Sequence, residues 1–348
     1  MIKSNTVIEL RSDTFTKPTP GMLQAMMEAE VGDDVFGEDP SVNALEAEMA
    51  DFFGMEAGLF CPSGTMSNQI AIKVHTQPAD EVICDELSHV YQYEGGGIAF
   101  NAGCSVRLLQ GNRGRLTAAQ VTNAINPYDI HKPVSRLVVL ENTSNRGGGS
   151  CYAIEEIAAI QQVCLEHNLG LHLDGARLWN ALLATRQSAK DYGTLFHSIS
   201  VCMSKGMGAP VGSVLLGSTS FIAKARRVRK VLGGGMRQVG FLAAACRYAL
   251  AHHLPLLATD HEHARQTADL LATRPWVNQV LDPQTNIVIF EVASPHTAAS
   301  VIAFLQQHGI YAHALSKQGI RLVFHLGVSS TQVNKLMEVL LLYSANNP

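Results

Sequence analysis

The chain reads as an α/β protein: a mostly parallel sheet with helices on both faces, followed by a small α+β domain at the C-terminal end. Three observations lead to that expectation. Short apolar runs of strand length alternate with segments of helical spacing over roughly the first 250 residues. Several of these runs stop at a polar or charged residue beside glycines, and ligands of open α/β sheets gather at such strand ends. After about residue 255 the pattern changes to two isolated strands, 286–290 and 320–324, and two helices, 298–308 and 331–343. A length of 348 residues suits two domains, and 47% hydrophobic content supports a large core. The expected division is an N-terminal arm at 1–20, a large domain at 21–254 and a small domain at 255–348.

Taken in order, Arg11-Ser-Asp-Thr-Phe-Thr-Lys-Pro18 is polar and extended, an arm or a plain entry segment. Residues 21–29 read as helix. Val31-Gly-Asp-Asp-Val-Phe-Gly-Glu-Asp-Pro40 is an acidic stretch, expected as a solvated loop feeding a helix capped by Ser41, and no metal site is assigned to it. Residues 41–53 have helical spacing, with Val42, Leu45, Met49 and Phe52 on one face. The small-residue turn Ser63-Gly64-Thr65 then opens a helix marked by Met66, Ile70 and Val74. Free N–H groups at such a start make an anion site, here assigned to a phosphate, although the same residues cap ordinary helices. Strands follow at 81–85 and 106–109; His89, just after the first, is a ring able to stack on a planar ligand or a structural hydrogen-bonder. The strand 136–140 runs into the polar loop Glu141-Asn-Thr-Ser144-Asn145, and 154–165 is the next helix.

Two strand ends carry the chemistry. Asn168-Leu-Gly-Leu-His-Leu-Asp174 is an apolar run ending in an acid, which needs a partner when buried: a pyridinium nitrogen, a helix start, or Arg177. The run from Ser198 ends at Lys205, with Gly206, Gly208, Pro210 and Gly212 beyond it. A desolvated lysine there would have a lowered pKa and suit Schiff-base chemistry; a surface lysine in a glycine-rich turn is the plain alternative. Strand-Asp followed about one βαβ unit later by strand-Lys fits pyridoxal phosphate. The strand 211–216 follows Lys205 too closely for a helical crossover and is expected antiparallel. The basic cluster 224–230 reads as a solvated or subunit-facing helix, and Arg237, after a glycine run, as an anion donor. His252, His253, His261 and His263 read as an exposed helix junction. Arg321, inside an apolar strand, calls for an anion: a substrate carboxylate or an internal salt bridge.

These stretches together resemble the threonine aldolases, pyridoxal-phosphate enzymes of fold type I. The likeness rests on Leu10-Arg-Ser-Asp-Thr14, the 31–40 stretch, Pro62-Ser-Gly-Thr-Met-Ser-Asn-Gln69, Leu171-His-Leu-Asp-Gly-Ala-Arg177 and Ser204-Lys-Gly-Met-Gly-Ala-Pro-Val-Gly-Ser213, in that order over nearly the whole chain. The resemblance implies an aminotransferase-like fold and a retro-aldol split of L-threonine or L-allo-threonine into glycine and acetaldehyde, with pyridoxal 5'-phosphate as cofactor. It implies Lys205 as the Schiff-base lysine, Asp174 on the pyridinium nitrogen, His89 stacked on the ring, and Ser63, Gly64 and Thr65 around the phosphate. Ser12, Arg177 and Arg321 would surround the substrate carboxylate, Arg177 also bordering the cofactor. Arg237 would reach the phosphate from a neighbouring subunit, in a homodimer or homotetramer with shared active sites. Many family members carry a histidine where Ser144 stands, in contact with the substrate hydroxyl, so the base falls to His89 or a bound water.

Composition excludes other classes. A net charge of −4 argues against nucleic acid as partner; no run is long and apolar enough for a bilayer; and seven scattered cysteines without Cys-x-x-Cys fit buried thiols in the cytoplasm. A nicotinamide dehydrogenase fails because no complete Gly-x-Gly-x-x-Gly is present. A non-enzymatic binding protein on this fold is expected to have lost Lys205 or Asp174. The nearest rival is a β-eliminating lyase with the same cofactor, acting on another amino acid.

Overall fold

The computed structural model describes residues 7–343; the opening six residues, expected to hold no signal core, lie outside that range. β1 (Ile8–Glu9) leads to α1 (Pro20–Met27) and α2 (Pro40–Phe53). An α/β series follows: β2 (Ala57–Cys61), α3 (Gly64–His75), β3 (Asp80–Asp85), α4 (His89–Gln92), β4 (Ser105–Leu109), α5 (Ala118–Ala124), β5 (Val134–Glu141), α6 (Ile154–Glu166), β6 (Gly170–Gly175), α7 (Leu178–Thr185), α8 (Ala189–Leu195), β7 (Ser198–Cys202) and β8 (Ser213–Gly217). Then come α9 (Thr219–Val231), α10 (Gly240–His252), α11 (Leu257–Ala272), β9 (Val277–Leu281), β10 (Ile287–Val292), α12 (Ala298–Gln307), β11 (Ile310–Tyr311), β12 (His313–Ala314), β13 (Gly319–Val323) and α13 (Ser330–Leu342).

Seven strands form the central sheet in the order β2-β8-β7-β6-β5-β3-β4. β8 is antiparallel to both neighbours, as the short connection from Lys205 required, and the other pairs are parallel. One face is apolar across the middle strands: Leu171, Leu173, Ile199 and Val201 pack there with Phe53 of α2 and Trp179 of α7. The other face is apolar only toward its flanks. Val82, Cys84, Leu137 and Val139 make one cluster, and Leu59, Cys61 and Leu215 make another under α3 and α9. Between them, β6 and β7 present His172, Asp174, Ser198 and Ser200, all buried. This polar seam lies beneath α3, and it positions the site described below.

A second, antiparallel sheet, β12-β13-β10-β9, has its own core with α11, α12 and α13. β1 pairs in parallel with β11, and Leu10 joins this second core, so residues 8–10 are tied to the C-terminal part of the chain. No helix among the described residues is long and apolar enough to cross a membrane.

Several local expectations need correction. α2 is capped by Asp39, whose carboxylate accepts from the N–H groups of Ser41 and Val42; Ser41 lies inside the helix. Pro40 suits the first helical turn, where its missing N–H costs nothing, so the cap falls one residue before it. Phe53, not Phe52, is fully buried on the apolar face. The acidic 31–40 stretch is not simply solvated: Asp34 is buried 2.7 Å from Arg229. That pair also takes Arg229 out of the solvated basic helix, because a buried guanidinium needs a counter-charge. Nor is the histidine-rich junction exposed throughout. His253 lies buried against the Met207 carbonyl at 2.8 Å, and His263 lies buried near Ser330. Isolated histidines in a polar stretch gave no period from which that burial could be read.

Candidate active site

β2, β3, β5, β6 and β7 run in the same direction, so their C-terminal ends gather along one edge. α3 begins there, just after β2. Ser63 is its N-cap and accepts from the Met66 N–H at 3.1 Å. The N–H groups of Gly64 and Thr65, in the first turn, have no partner within the helix and face outward with the positive end of its dipole. Nothing lies within 4 Å of where a Cβ on Gly64 would be, so the approach is open. A cavity of about 120 Å³ is lined by Gly64, Thr65, Asn68, His89, Asp174 and Lys205 among others. The fold thus brings five of the sequence-derived residues to one place from four separate segments. Lys205 is half-buried rather than buried.

Asp174 is 2% exposed and is held on both oxygens. Oδ1 accepts from the Ala176 N–H at 3.1 Å and Oδ2 from the Asn68 side chain at 2.9 Å. Arg177, the local partner considered for it, turns elsewhere: its guanidinium makes a two-point contact with buried Asp13 at 2.7 and 2.8 Å. Burial would raise the Asp13 carboxyl, but the charge and hydrogen bonds of Arg177 outweigh it and hold the pKa below the usual range.

His89 opens α4, where its N–H donates to Glu141 Oε2 at 2.7 Å. Its Nδ1 lies 3.0 Å from Glu94 Oε1. Burial pushes this imidazole down, but the Glu94 hydrogen bond and the nearby Asp174 charge push it up by more, so it titrates above the ordinary histidine range. Glu141 is fully buried; burial and the facing Asp174 raise it to about 7. The ligand atoms of His89, Glu94 and Asp174 come within 4.8 Å of one another, a spacing a cation would also use. Here the Asn68 amide donates to both carboxylates, so the cluster is joined through hydrogen bonds.

Arg321 is 9% exposed. It donates to Asn145 Oδ1 at 2.7 Å and to the Arg11 carbonyl at 2.9 Å, its Nε has no partner, and no carboxylate pairs with it among the described residues. Burial and the neighbouring Arg177 cation lower its pKa to about 10, as expected of a guanidinium short of negative charge. It joins the site through Asn145, whose N–H donates to Glu141 Oε1 at 2.8 Å. Ser12 caps a short 3-10 turn beside Asp13. Ser144 is buried within its loop, accepts from the Gly147 N–H at 3.2 Å and packs on Gly114; it does not line the cavity. Arg237 is half-exposed, pairs with Asp33 at 2.9 Å, and likewise does not line the cavity.

The donor set fits pyridoxal phosphate: a helix start for the phosphate, a carboxylate for the ring nitrogen, an imidazole for the ring face and an amine for the aldehyde carbon. Asn68, Glu94, Glu141, His172 and Asp13 were not assigned roles from sequence. For His172 a signal existed, since Leu171-His-Leu-Asp174 alternates and puts His172 on the same face as Asp174.

A family model described as β-eliminating lyase matches residues 9–295. The chain is 40% identical over 334 residues to low-specificity L-threonine aldolase 1 of Arabidopsis thaliana, covering 94% of this chain and 93% of that one. It is 39% identical over 328 residues to a low specificity L-threonine aldolase of Escherichia coli O157:H7, covering 94% and 96%. In structure it resembles a threonine aldolase of Leishmania major with a TM-score of 0.82 at 20% identity, over 96% of this chain and 98% of that one, which establishes the fold.

Proposed function

We propose a function from this premise: the chain belongs to the β-eliminating lyase family, among the low-specificity threonine aldolases. It is a pyridoxal-phosphate-dependent lyase that splits L-threonine, L-allo-threonine or a related β-hydroxy-α-amino acid into glycine and an aldehyde. The observation that supports an amino-acid substrate most directly is Arg321, a buried guanidinium without a carboxylate, linked through Asn145 and Glu141 to the cavity that holds Lys205 and Asp174. Arg321, with Ser12 and Arg177 beside it, takes the substrate carboxylate.

Ser63, Gly64 and Thr65 would hold the phosphate, Asp174 the ring nitrogen, and Lys205 the aldehyde carbon. When bound, the cofactor supplies an electron-poor ring that accepts the electrons of the breaking Cα–Cβ bond. His89, which lines the same cavity, would lie against that ring. Its Nδ1 is fixed on Glu94, which leaves Nε2 free to take the proton of the β-hydroxyl, a role Ser144 has no geometry for. The enzyme works in the cytoplasm as a homodimer or homotetramer, with Arg237 reaching the phosphate of a neighbouring subunit; the outward placement of Arg237 supports this.

The test is product analysis on the holoenzyme with L-threonine, L-allo-threonine, L-serine and L-cysteine. Glycine and acetaldehyde in equal amounts from threonine are expected. Pyruvate and ammonia from serine or cysteine, with no glycine from threonine, would move the assignment to β-elimination.

The role of His89 has its own test. Because Glu94 raises the imidazole against the pull of burial, the acid limb of kcat/KM should lie above the ordinary histidine range. In Glu94→Gln that limb should move to lower pH, since burial is then less opposed. A limb that stays in place would remove His89 as the base.

A further inference from the structure

We infer that Asn68 is a positioning residue of this site: its one side-chain amide aligns Asp174 and, through Glu94, the ring of His89, at the head of a hydrogen-bond chain entering from His75. The inference rests on the cofactor reading above and deepens it.

The Asn68 amide has two hydrogens, and each has a buried acceptor: Glu94 Oε1 and Asp174 Oδ2, both at 2.9 Å. Two carboxylates this close repel unless something donates to both, and an NH₂ group facing them does so without adding charge. Glu94 Oε1 also faces His89 Nδ1, and its Oε2 accepts from Gln69 at 2.6 Å. Glu94 is thus fixed from one side by α3 and fixes His89 on the other. Moving Asn68 disturbs the groups assigned to the ring nitrogen and to the ring face together.

The polarity of the chain is determined. With both amide hydrogens engaged, Asn68 Oδ1 can only accept, and it lies 3.1 Å from His172 Nε2, so that nitrogen carries the proton. His172 is fully buried with no acid beside it, and burial lowers it to about 3, so the ring is neutral and Nδ1 accepts. The donor to Nδ1 is Ser198 Oγ at 2.8 Å, which in turn accepts from His75 Nε2 at 2.8 Å. Every donor points toward the two carboxylates. Flipping the Asn68 amide would set its carbonyl against two acceptors and its NH₂ against an N–H. Holding α3 on the sheet does not require this arrangement, because Ser67 already bonds there to Ser213 at 3.0 Å and to Ser200.

Two measurements test the inference. The first uses cofactor-free protein labelled with ¹⁵N in its imidazoles, so it is independent of any cofactor assignment. His172 is expected as the neutral Nε2–H tautomer across neutral pH; an Nδ1–H tautomer or a cation would overturn the polarity. The second compares holoenzymes carrying Asn68→Leu, which removes both donors at similar volume, and Asn68→Ser, which keeps one. Asn68→Leu should lower kcat by about 10–100-fold, the scale of a misplaced reacting group, and shift the visible cofactor band. KM for threonine should change less, because Arg321 is untouched. Asn68→Ser should fall between. If Asn68→Leu does not fold, Asn68→Ser alone decides, and wild-type kcat and band position in it would sink the inference. A wild-type protein with no visible band after loading would instead refute the cofactor reading and leave the tautomer result standing.

Discussion

Lys205→Ala, loaded with pyridoxal phosphate, is expected to lack the visible band of a lysine-bound cofactor and to cleave threonine at least about 10³-fold more slowly than the parent protein. Cys202, Ser204 and Thr65 also line the cavity, but the Lys205 amine is the only lining group that can form an imine with an aldehyde carbon, so no neighbour replaces it. The helix start at Ser63–Thr65 and Asp174 are untouched by the change, so the variant should still hold the cofactor, released by mild dialysis. Absorption spectra before and after dialysis, with a glycine assay, check both parts. A variant that keeps the band and the rate would mean another lysine does this work and would remove the basis for the proposed reaction.

The second large effect is on stability. Asp13→Ala leaves Arg177 buried without its counter-charge, which should cost about 3–5 kcal/mol in urea unfolding at neutral pH. The sign of the pH dependence follows from the depressed Asp13 titration in the folded state. Its stabilisation is complete above the unfolded carboxylate pKa, near 3.9, and is lost as pH falls through the lower folded value. The gap between parent and variant should therefore narrow only under strongly acid conditions. A gap that stays constant, or a variant as stable as the parent at pH 7, would show that Arg177 finds another acceptor or water. Asp13→Asn keeps the shape without the charge and should fall between.

Lys205 and Asp174 each had a plain alternative taken singly; they were legible as a pair, because two apolar runs about one βαβ unit apart end in an acid and an amine. The parallel sheet was legible from the alternation of runs and helices, and the reversal of β8 from a connection too short to cross over. Residues whose meaning is set by distant partners were not. Asn68 reads as an ordinary polar helix residue until β6 and the turn after α4 bring Asp174 and Glu94 to it. Arg177 had an acid three positions away, yet the fold supplies Asp13 from 164 residues upstream. Ser144 aligned with a substrate-contacting histidine in the family pattern, but its hydroxyl serves its own loop instead. Local spacing predicts elements well because periodicity is a local property; the pairing of buried charges is decided by which elements meet.

α3 has a consequence of its own for how this chain can change. Its first residues face the expected phosphate, and Asn68, four positions on, faces the two carboxylates. A helix advances about 1.5 Å and turns about 100° per residue, so this one segment acts as a rigid gauge, with its two marks about 6 Å apart along the axis. One residue inserted or deleted between Gly64 and Asn68 would rotate the second mark out of the seam, and no side-chain choice could restore both. Variation in this segment is therefore open to substitution and closed to changes of length.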